Sequence, residues 1–209
     1  MALKRGEVIN NTYTIQFFIG QGAFGEVYRV KHKFLGLQVL KVLKADYVEN
    51  SDLDTLIREA LLLSQLTHEN IVRVFETNTF EKDNSVFYFL AMEFVSGESL
   101  SDLLKRDILL PYDKALRIQI DFLQGLEKAH SLSIIHRDIN PDNILLSYQD
   151  KDLKGLLSDF GLAQKVNDLD QISGAAGRYL YFAPECFSNI YLTTSDVFSA
   201  GIVFYKILT

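Results

Sequence analysis

The glycine run Gly20-Gln21-Gly22-Ala23-Phe24-Gly25 constrains this chain more than any other feature, because strand-forming residues come directly after it. A G-x-G-x-x-G run that binds a dinucleotide leaves a strand and opens a helix. Here Val27, Tyr28 and Val30 come next, and these are strand formers. The run therefore reads as the tip of a β-hairpin, not as a helix start. Glycines there let backbone amides approach phosphate oxygens with no side chain in the way. Taken alone, a plain glycine-rich turn explains the run equally well.

The first third of the chain continues in the same style. Residues 13–19, 26–33 and 37–43 are rich in β-branched and aromatic side chains and read as strands. Leu53, Leu56, Ile57, Ala60, Leu61 and Leu63 recur at helical spacing behind the caps Ser51 and Asp52. Two more strands are expected at 71–76 and 86–94, joined by a polar turn over 77–85. After Gly97 the pattern turns helical. Pro111 opens a helix over 112–131 that is apolar on more than one face (Leu116, Ile120, Leu123; Ile118, Phe122, Leu126). Another helix is expected from about Ser195 to the terminus, and the apolar run 200–205 is too short for more than a buried helix segment. The pattern thus gives a strand-rich part, a short link at 93–97 and a helix-rich part, and ligand sites favour such arrangements.

Composition excludes several classes. Hydrophobic residues make up 48% and charged residues 23% of the 209, as in an ordinary globular protein. The net charge of −6 opposes a nucleic-acid footprint. The lone cysteine, Cys186, cannot form an intrachain disulfide, which fits a reducing, cytoplasmic setting. No apolar run approaches a membrane span, and residues 1–11 lack a signal-peptide core.

Three further elements carry chemistry. Lys41 lies in the apolar strand Val39-Leu40-Lys41-Val42, where an ammonium is costly unless paired or used. An outward-facing lysine on an edge strand is the plainer alternative. Glu59 and Glu69 are its candidate partners, and Glu59, on the amphipathic helix, is the better one. The octet His136-Arg137-Asp138-Ile139-Asn140-Pro141-Asp142-Asn143 precedes the apolar run Ile144-Leu145-Leu146. Asp138 offers a carboxylate to a hydroxyl proton. Asn143 offers an amide oxygen to Mg²⁺, a hard cation. Downstream, Asp159-Phe160-Gly161 supplies a second oxygen ligand and a glycine that permits a sharp turn.

In order, these motifs resemble the protein-kinase signature: glycine loop, strand lysine, helix glutamate, H-R-D, Asn, D-F-G, and A-P-E at Ala183-Pro184-Glu185. Ser195-Asp196-Val197-Phe198-Ser199-Ala200-Gly201 resembles the family's D-x-W-S-x-G, with Phe198 for Trp. The resemblance implies an α+β, two-lobed kinase-like fold over about 13–209. Its N-lobe (13–92) holds an antiparallel sheet plus one helix, its hinge is 93–97, and its C-lobe (98–209) is mainly α and incomplete. It implies an ATP- and Mg²⁺-dependent kinase acting on serine or threonine of protein substrates, because Pro141 matches the D-x-K-P-x-N form. A pseudokinase or scaffold is the alternative, and a small-molecule phosphotransferase is disfavoured by the A-P-E and Asp196 segments.

By the same resemblance, Ile19, Gly20, Gln21, Gly22, Ala23, Phe24 and Gly25 cover the phosphates. Lys41 holds them and Glu59 orients Lys41. Glu93 and Val95 meet adenine through backbone, behind it stands Met92, and Val27, Val39 and Leu145 sandwich it. Asn143 and Asp159 hold Mg²⁺, and Asp138 positions the hydroxyl. Leu63, Phe75, His136 and Phe160 form a stack anchored by Asp196, although each is also ordinary core. Arg137 meets a phosphate on Ser173, Tyr179 or Tyr181, or else pairs with a nearby carboxylate or backbone group. Two departures stand out. Asn140 occupies a lysine position, and Arg178 a threonine position. Arg178 either restores the missing charge or blocks Asp138. Glu185's customary arginine partner falls in a region the family has after Thr209. Only a chain that ended there would be expected to expose Val203, Phe204 and Ile207, inviting aggregation or a partner, and a truncated sequence whose further helices cover them is the simpler expectation.

Overall fold

A computed structural model of the chain describes residues 3–22, 25–43, 66–106, 110–149, 152–160 and 178–209. The helix expected around Glu59 and Leu63 lies outside them, as do Ala23, Phe24, Gly161 and Ser173. The chain divides into two compact units. The first comprises Met1–Thr67 and Arg73–Phe94, the second His68–Val72 and Val95–Thr209.

The first unit is a six-stranded antiparallel sheet in the order β1-β2-β3-β4-β6-β5. Its strands are β1 (Val8–Ile9), β2 (Tyr13–Gln21), β3 (Gly25–His32), β4 (Gly36–Leu43), β5 (Val74–Lys82) and β6 (Ser85–Glu93). Period-two alternation puts Tyr13, Ile15, Tyr28, Val30, Leu40, Val42, Phe89 and Ala91 into one core, which Leu3 and Ile9 help cover. The Leu3 amide donates to the Tyr28 hydroxyl at 3.0 Å, and that hydroxyl donates to Glu26. Burial, then the Glu26 carboxylate, pushes the Tyr28 phenol up to about 12.

The polar turn expected over 77–85 is mostly strand. The chain reverses only at Asp83 and Asn84, whose φ values of 50° and 59° suit a two-residue hairpin turn. Val74–Lys82 is the sheet's edge strand, so its polar positions face water and hide the strand pattern; Phe80 alone is buried. The strand expected from 71 starts instead at Val74, because Ile71 bridges to Leu157 in the second unit.

Gln38 on β4 is 1% exposed, and neither end of its amide has a hydrogen-bond partner among the described residues. Burying an unpaired amide costs free energy that a thioether of similar shape does not. Gln38→Met is therefore expected to raise unfolding free energy by about 1–2 kcal/mol. Urea denaturation checks this, and an unchanged or lower midpoint refutes it.

The second unit contains helices α1 (Leu100–Leu104), α2 (Tyr112–Ser131) and α3 (Thr193–Leu208), with a three-stranded antiparallel sheet. The sheet strands are β7 (Gly97–Ser99), β8 (Ile144–Gln149) and β9 (Asp152–Leu157). A Cβ on Gly97 would lie 1.7 Å from the Leu146 carbonyl oxygen, so only glycine fits where β7 meets β8. α2 buries Ala115, Ile118, Phe122, Leu126 and Ala129, one stripe at helical spacing. The second apolar face expected of it is only partly covered: Leu116 and Leu123 are half-buried and Ile120 is 43% exposed. α3 also differs from expectation. Val203 and Ile207 are buried, Phe204 is half-buried, and the exposed apolar residues are Val197, Phe198, Tyr205 and Leu208. The packed face of α3 is the one it turns to its own unit, where Gln119 on α2 donates to the Ala200 carbonyl at 3.2 Å. Among the described residues no helix is long and apolar enough to cross a membrane.

Candidate active site

In the second unit, the loop after α2 is fixed by a carboxylate from α3. Asp196, 2% exposed, accepts the backbone N–H groups of His136 and Arg137, each at 2.8 Å. His130, on the last turn of α2, meets the same carboxylate at 2.8 Å. These bonds hold Arg137 in the left-handed region at φ 69°, a conformation that costs a non-glycine residue free energy. The Arg137 guanidinium lies 5.9 Å from the Tyr191 ring centroid.

His136 is fully buried and its two nitrogens take different roles. Nδ1 accepts the Asp138 N–H at 3.3 Å, so the ring hydrogen sits on Nε2, which donates to the Ser158 carbonyl at 2.8 Å. Its ring packs 4.6 Å from that of Phe160. This contact joins two members of the expected stack. Phe75 is in the first unit, and Leu63 is outside the described residues.

Asp138, Asn140 and Asn143 are all buried, at 7%, 1% and 5% exposure. The Asn143 amide nitrogen donates to the Asp138 carbonyl at 2.8 Å and to its Oδ2 at 2.9 Å. Reversing that amide would set oxygen against two oxygens, so its orientation is forced. Oδ1 is thus the end of Asn143 turned away from Asp138. Ladder pairing of Ile144 with Leu157 brings Asn143 and Ser158 to one end of the β8–β9 hairpin. The Ser158 N–H and hydroxyl both donate to the Asn143 carbonyl, at 2.9 and 3.1 Å. Asp159 comes next in the chain and lies in the left-handed region, at φ 59°. Asn143 thus carries an amide oxygen, and Asp159, the residue after the anchored Ser158, carries a carboxylate; both are oxygen donors of the kind a hard cation takes.

In the first unit, strand pairing sets Lys41 opposite Val27 and Leu90, and Val39 opposite Met92. Paired residues share a face, so Val27, Val39, Lys41, Leu90 and Met92 lie on the side opposite the Tyr13–Phe89 core. Lys41 is 5% exposed. Gly20 pairs with Val27, and the Gly22 N–H donates to the Gly25 carbonyl at 2.8 Å. The glycines differ in what they do for the fold. A Cβ on Gly25 would meet the Val42 oxygen at 2.0 Å, whereas among the described residues one on Gly20 or Gly22 would meet nothing within 4 Å. The fold requires the last glycine, and the described residues leave space at the first two. Ile19 and Gln21 are on the same hairpin, Ile19 48% exposed. Glu93 spends its N–H on the Arg73 carbonyl at 2.9 Å, and Val95 is half-buried. In the second unit Leu145 pairs with Ser99 and Leu156.

Other expectations shift. Glu69, the other candidate partner of Lys41, accepts from Lys154 at 2.6 Å within the second unit. Glu59 and the Arg178 side chain lie outside the described residues. Tyr179 packs against Phe182 and Phe187, with centroids 5.5 and 6.1 Å apart, and burial, then the Asp142 carboxylate, raises the Tyr181 phenol. Glu185 accepts the Ser195 hydroxyl at 2.6 Å, which holds its carboxyl below the usual range. Sequence reasoning misses His130, Ser158 and Ser195, for which no local motif signals a partner.

A family model described as a protein kinase domain matches residues 13–209. The chain is 31% identical to a probable serine/threonine-protein kinase of Clostridium perfringens over 98% of this chain and 30% of that protein. It is 33% identical to the probable serine/threonine-protein kinase PknB of Lactococcus lactis over 99% of this chain and 33% of that protein. The chain spans about a third of the length of these curated relatives. The crystal structure of the Mycobacterium tuberculosis PknI kinase domain superposes with a TM-score of 0.78 at 28% identity, covering 99% of this chain and 77% of that one.

Proposed function

The chain belongs to the protein kinase domain family, and from that premise we propose that it transfers the γ-phosphate of ATP to serine or threonine hydroxyls of protein substrates. The observation that carries this reading is the Asp138–Asn143–Ser158 arrangement. It keeps a buried carboxylate in a fixed place and anchors Asn143 and Ser158, the latter next in the chain to Asp159. Asp138 orients the attacking hydroxyl and accepts its proton. Asn143 and Asp159 hold Mg²⁺, which when bound neutralises charge on the phosphate oxygens. Lys41, oriented by Glu59, binds phosphate. The backbone from Ile19 to Gly25 covers it, and the open space at Gly20 and Gly22 supports that role. Val27, Val39 and Leu145 pack on adenine, Met92 stands behind it, and Glu93 and Val95 bond it through backbone. Substrate choice follows Pro141, and a cytoplasmic setting suits the free, buried Cys186.

One observation favours a second reading, a nucleotide-binding module with little transfer. Asn140 brings no charge to a position where the family resemblance leads one to expect lysine. The deciding experiment supplies the purified protein with γ-labelled ATP, Mg²⁺ and a basic protein substrate, with phosphoamino-acid analysis of the product. Label on serine or threonine, abolished by chelator, is the expected result. Nucleotide bound with no label transferred would overturn the kinase reading in favour of the module.

A further inference from the structure

Asn140 makes contacts that a missing lysine does not explain. Its backbone is extended, and it caps the short turn Pro141–Asn143 by accepting the Asp142 N–H on Oδ1 at 2.9 Å. Its amide nitrogen donates to the Asp138 carbonyl at 3.1 Å and to the Asp138 Oδ1 at 2.8 Å. The orientation is again forced. Turned over, the amide would present oxygen to two oxygens and nitrogen to an N–H. Asn143 grips the same residue through the same carbonyl and the other carboxylate oxygen.

Each oxygen of the Asp138 carboxylate is therefore held by a different amide. The terminal torsion of an aspartate is broad and two-fold, so one donor leaves the carboxylate plane loosely set. Two donors on two oxygens fix it. A lysine carries donors and no acceptor, so it could not also take the Asp142 N–H. An amide of this length serves both ends.

We infer that Asn140 is a positioning residue that, together with Asn143, sets the plane of the Asp138 carboxylate for the hydroxyl it is to deprotonate. This rests on the kinase reading above. Its role is orientation by a neutral donor.

Two variants separate orientation from folding. Asn140→Ser keeps an oxygen able to cap the turn but is too short to reach the Asp138 Oδ1. Asn140→Asp keeps size and cap but sets a second carboxylate against the first. Both are expected to lower kcat by about 30-fold or more while KM for ATP stays within about two-fold, because orientation acts on the chemical step. Crystal structures of the same variants should show the Asp138 carboxylate rotated from the plane it holds in the parent. A kcat within about two-fold of the parent, or an unrotated Asp138, overturns the inference. If the parent itself transfers no phosphate, the kinase reading fails separately, and the carboxylate plane in the variants still decides whether Asn140 sets it.

Discussion

Replacing Asp138 with Asn is expected to lower phosphate transfer by about 10²–10⁴-fold, the range associated with loss of a general base, while ATP still binds. The substitution keeps shape and volume, so packing around this buried position survives. It removes the proton acceptor. It also damages the clamp, since one carboxylate oxygen becomes an NH₂ group. That group must face the amide nitrogen of Asn140 or of Asn143, both of which are donors aimed at Asp138. Rotation only exchanges one donor–donor contact for the other, and an unsatisfied buried pair of this kind costs about 1–3 kcal/mol. The two losses act on kcat. Nucleotide affinity, measured by calorimetry, should be nearly unchanged. A variant that keeps more than about a tenth of parental kcat would take the proton-accepting role away from Asp138.

Asp196→Ala is expected to lower unfolding free energy by about 3–5 kcal/mol, the largest stability effect foreseen for a single residue here. The wild-type carboxylate satisfies the N–H groups of His136 and Arg137 and meets His130. Alanine would leave these donors buried with no acceptor, each at its own desolvation cost. Arg137 would also lose the tether that holds its left-handed backbone, so the two residues preceding Asp138 would relax. Asp196→Asn should fall between parent and alanine, because its amide accepts one N–H and opposes the other. Chemical denaturation with a tyrosine-fluorescence readout measures both. A loss below about 1 kcal/mol in the alanine variant would mean that other groups hold the loop.

What can be read from the sequence depends on the range over which each element is specified. β2, β3 and β4 carry alternation within themselves, and α2 carries both Pro111 and its apolar stripe, so these are legible at nearly their true bounds. Asp138, Asn143 and Asp159 are visible because short motifs name them. The three-stranded sheet is not visible. Gly97 pairs with Ser147 across a long stretch of intervening chain, and β7 is only three residues long. The pairing of Glu69 with Lys154 is hidden for the same reason, at a separation of 85 residues. The later part of β5, from Thr77, reads as a turn because an edge strand tolerates polar residues on its watered side. Asn140 shows a different limit. Its identity announces an absent charge, but the two bonds that give it a use depend on where Asp138 and Asp142 lie in space.

The segment His68–Val72 interrupts the first unit and belongs to the second. It is stitched there by the Val72 N–H to the Leu157 carbonyl and the Leu157 N–H to the Asn70 carbonyl, both at 2.8 Å, and by the Asn70 side chain to Gly155. No single scission can divide the molecule into its two units. A nick after Phe94 would leave the earlier fragment carrying a strip that the later fragment needs for its β9 edge. During synthesis, that strip must likewise wait for Leu157 to emerge before its backbone groups find these partners.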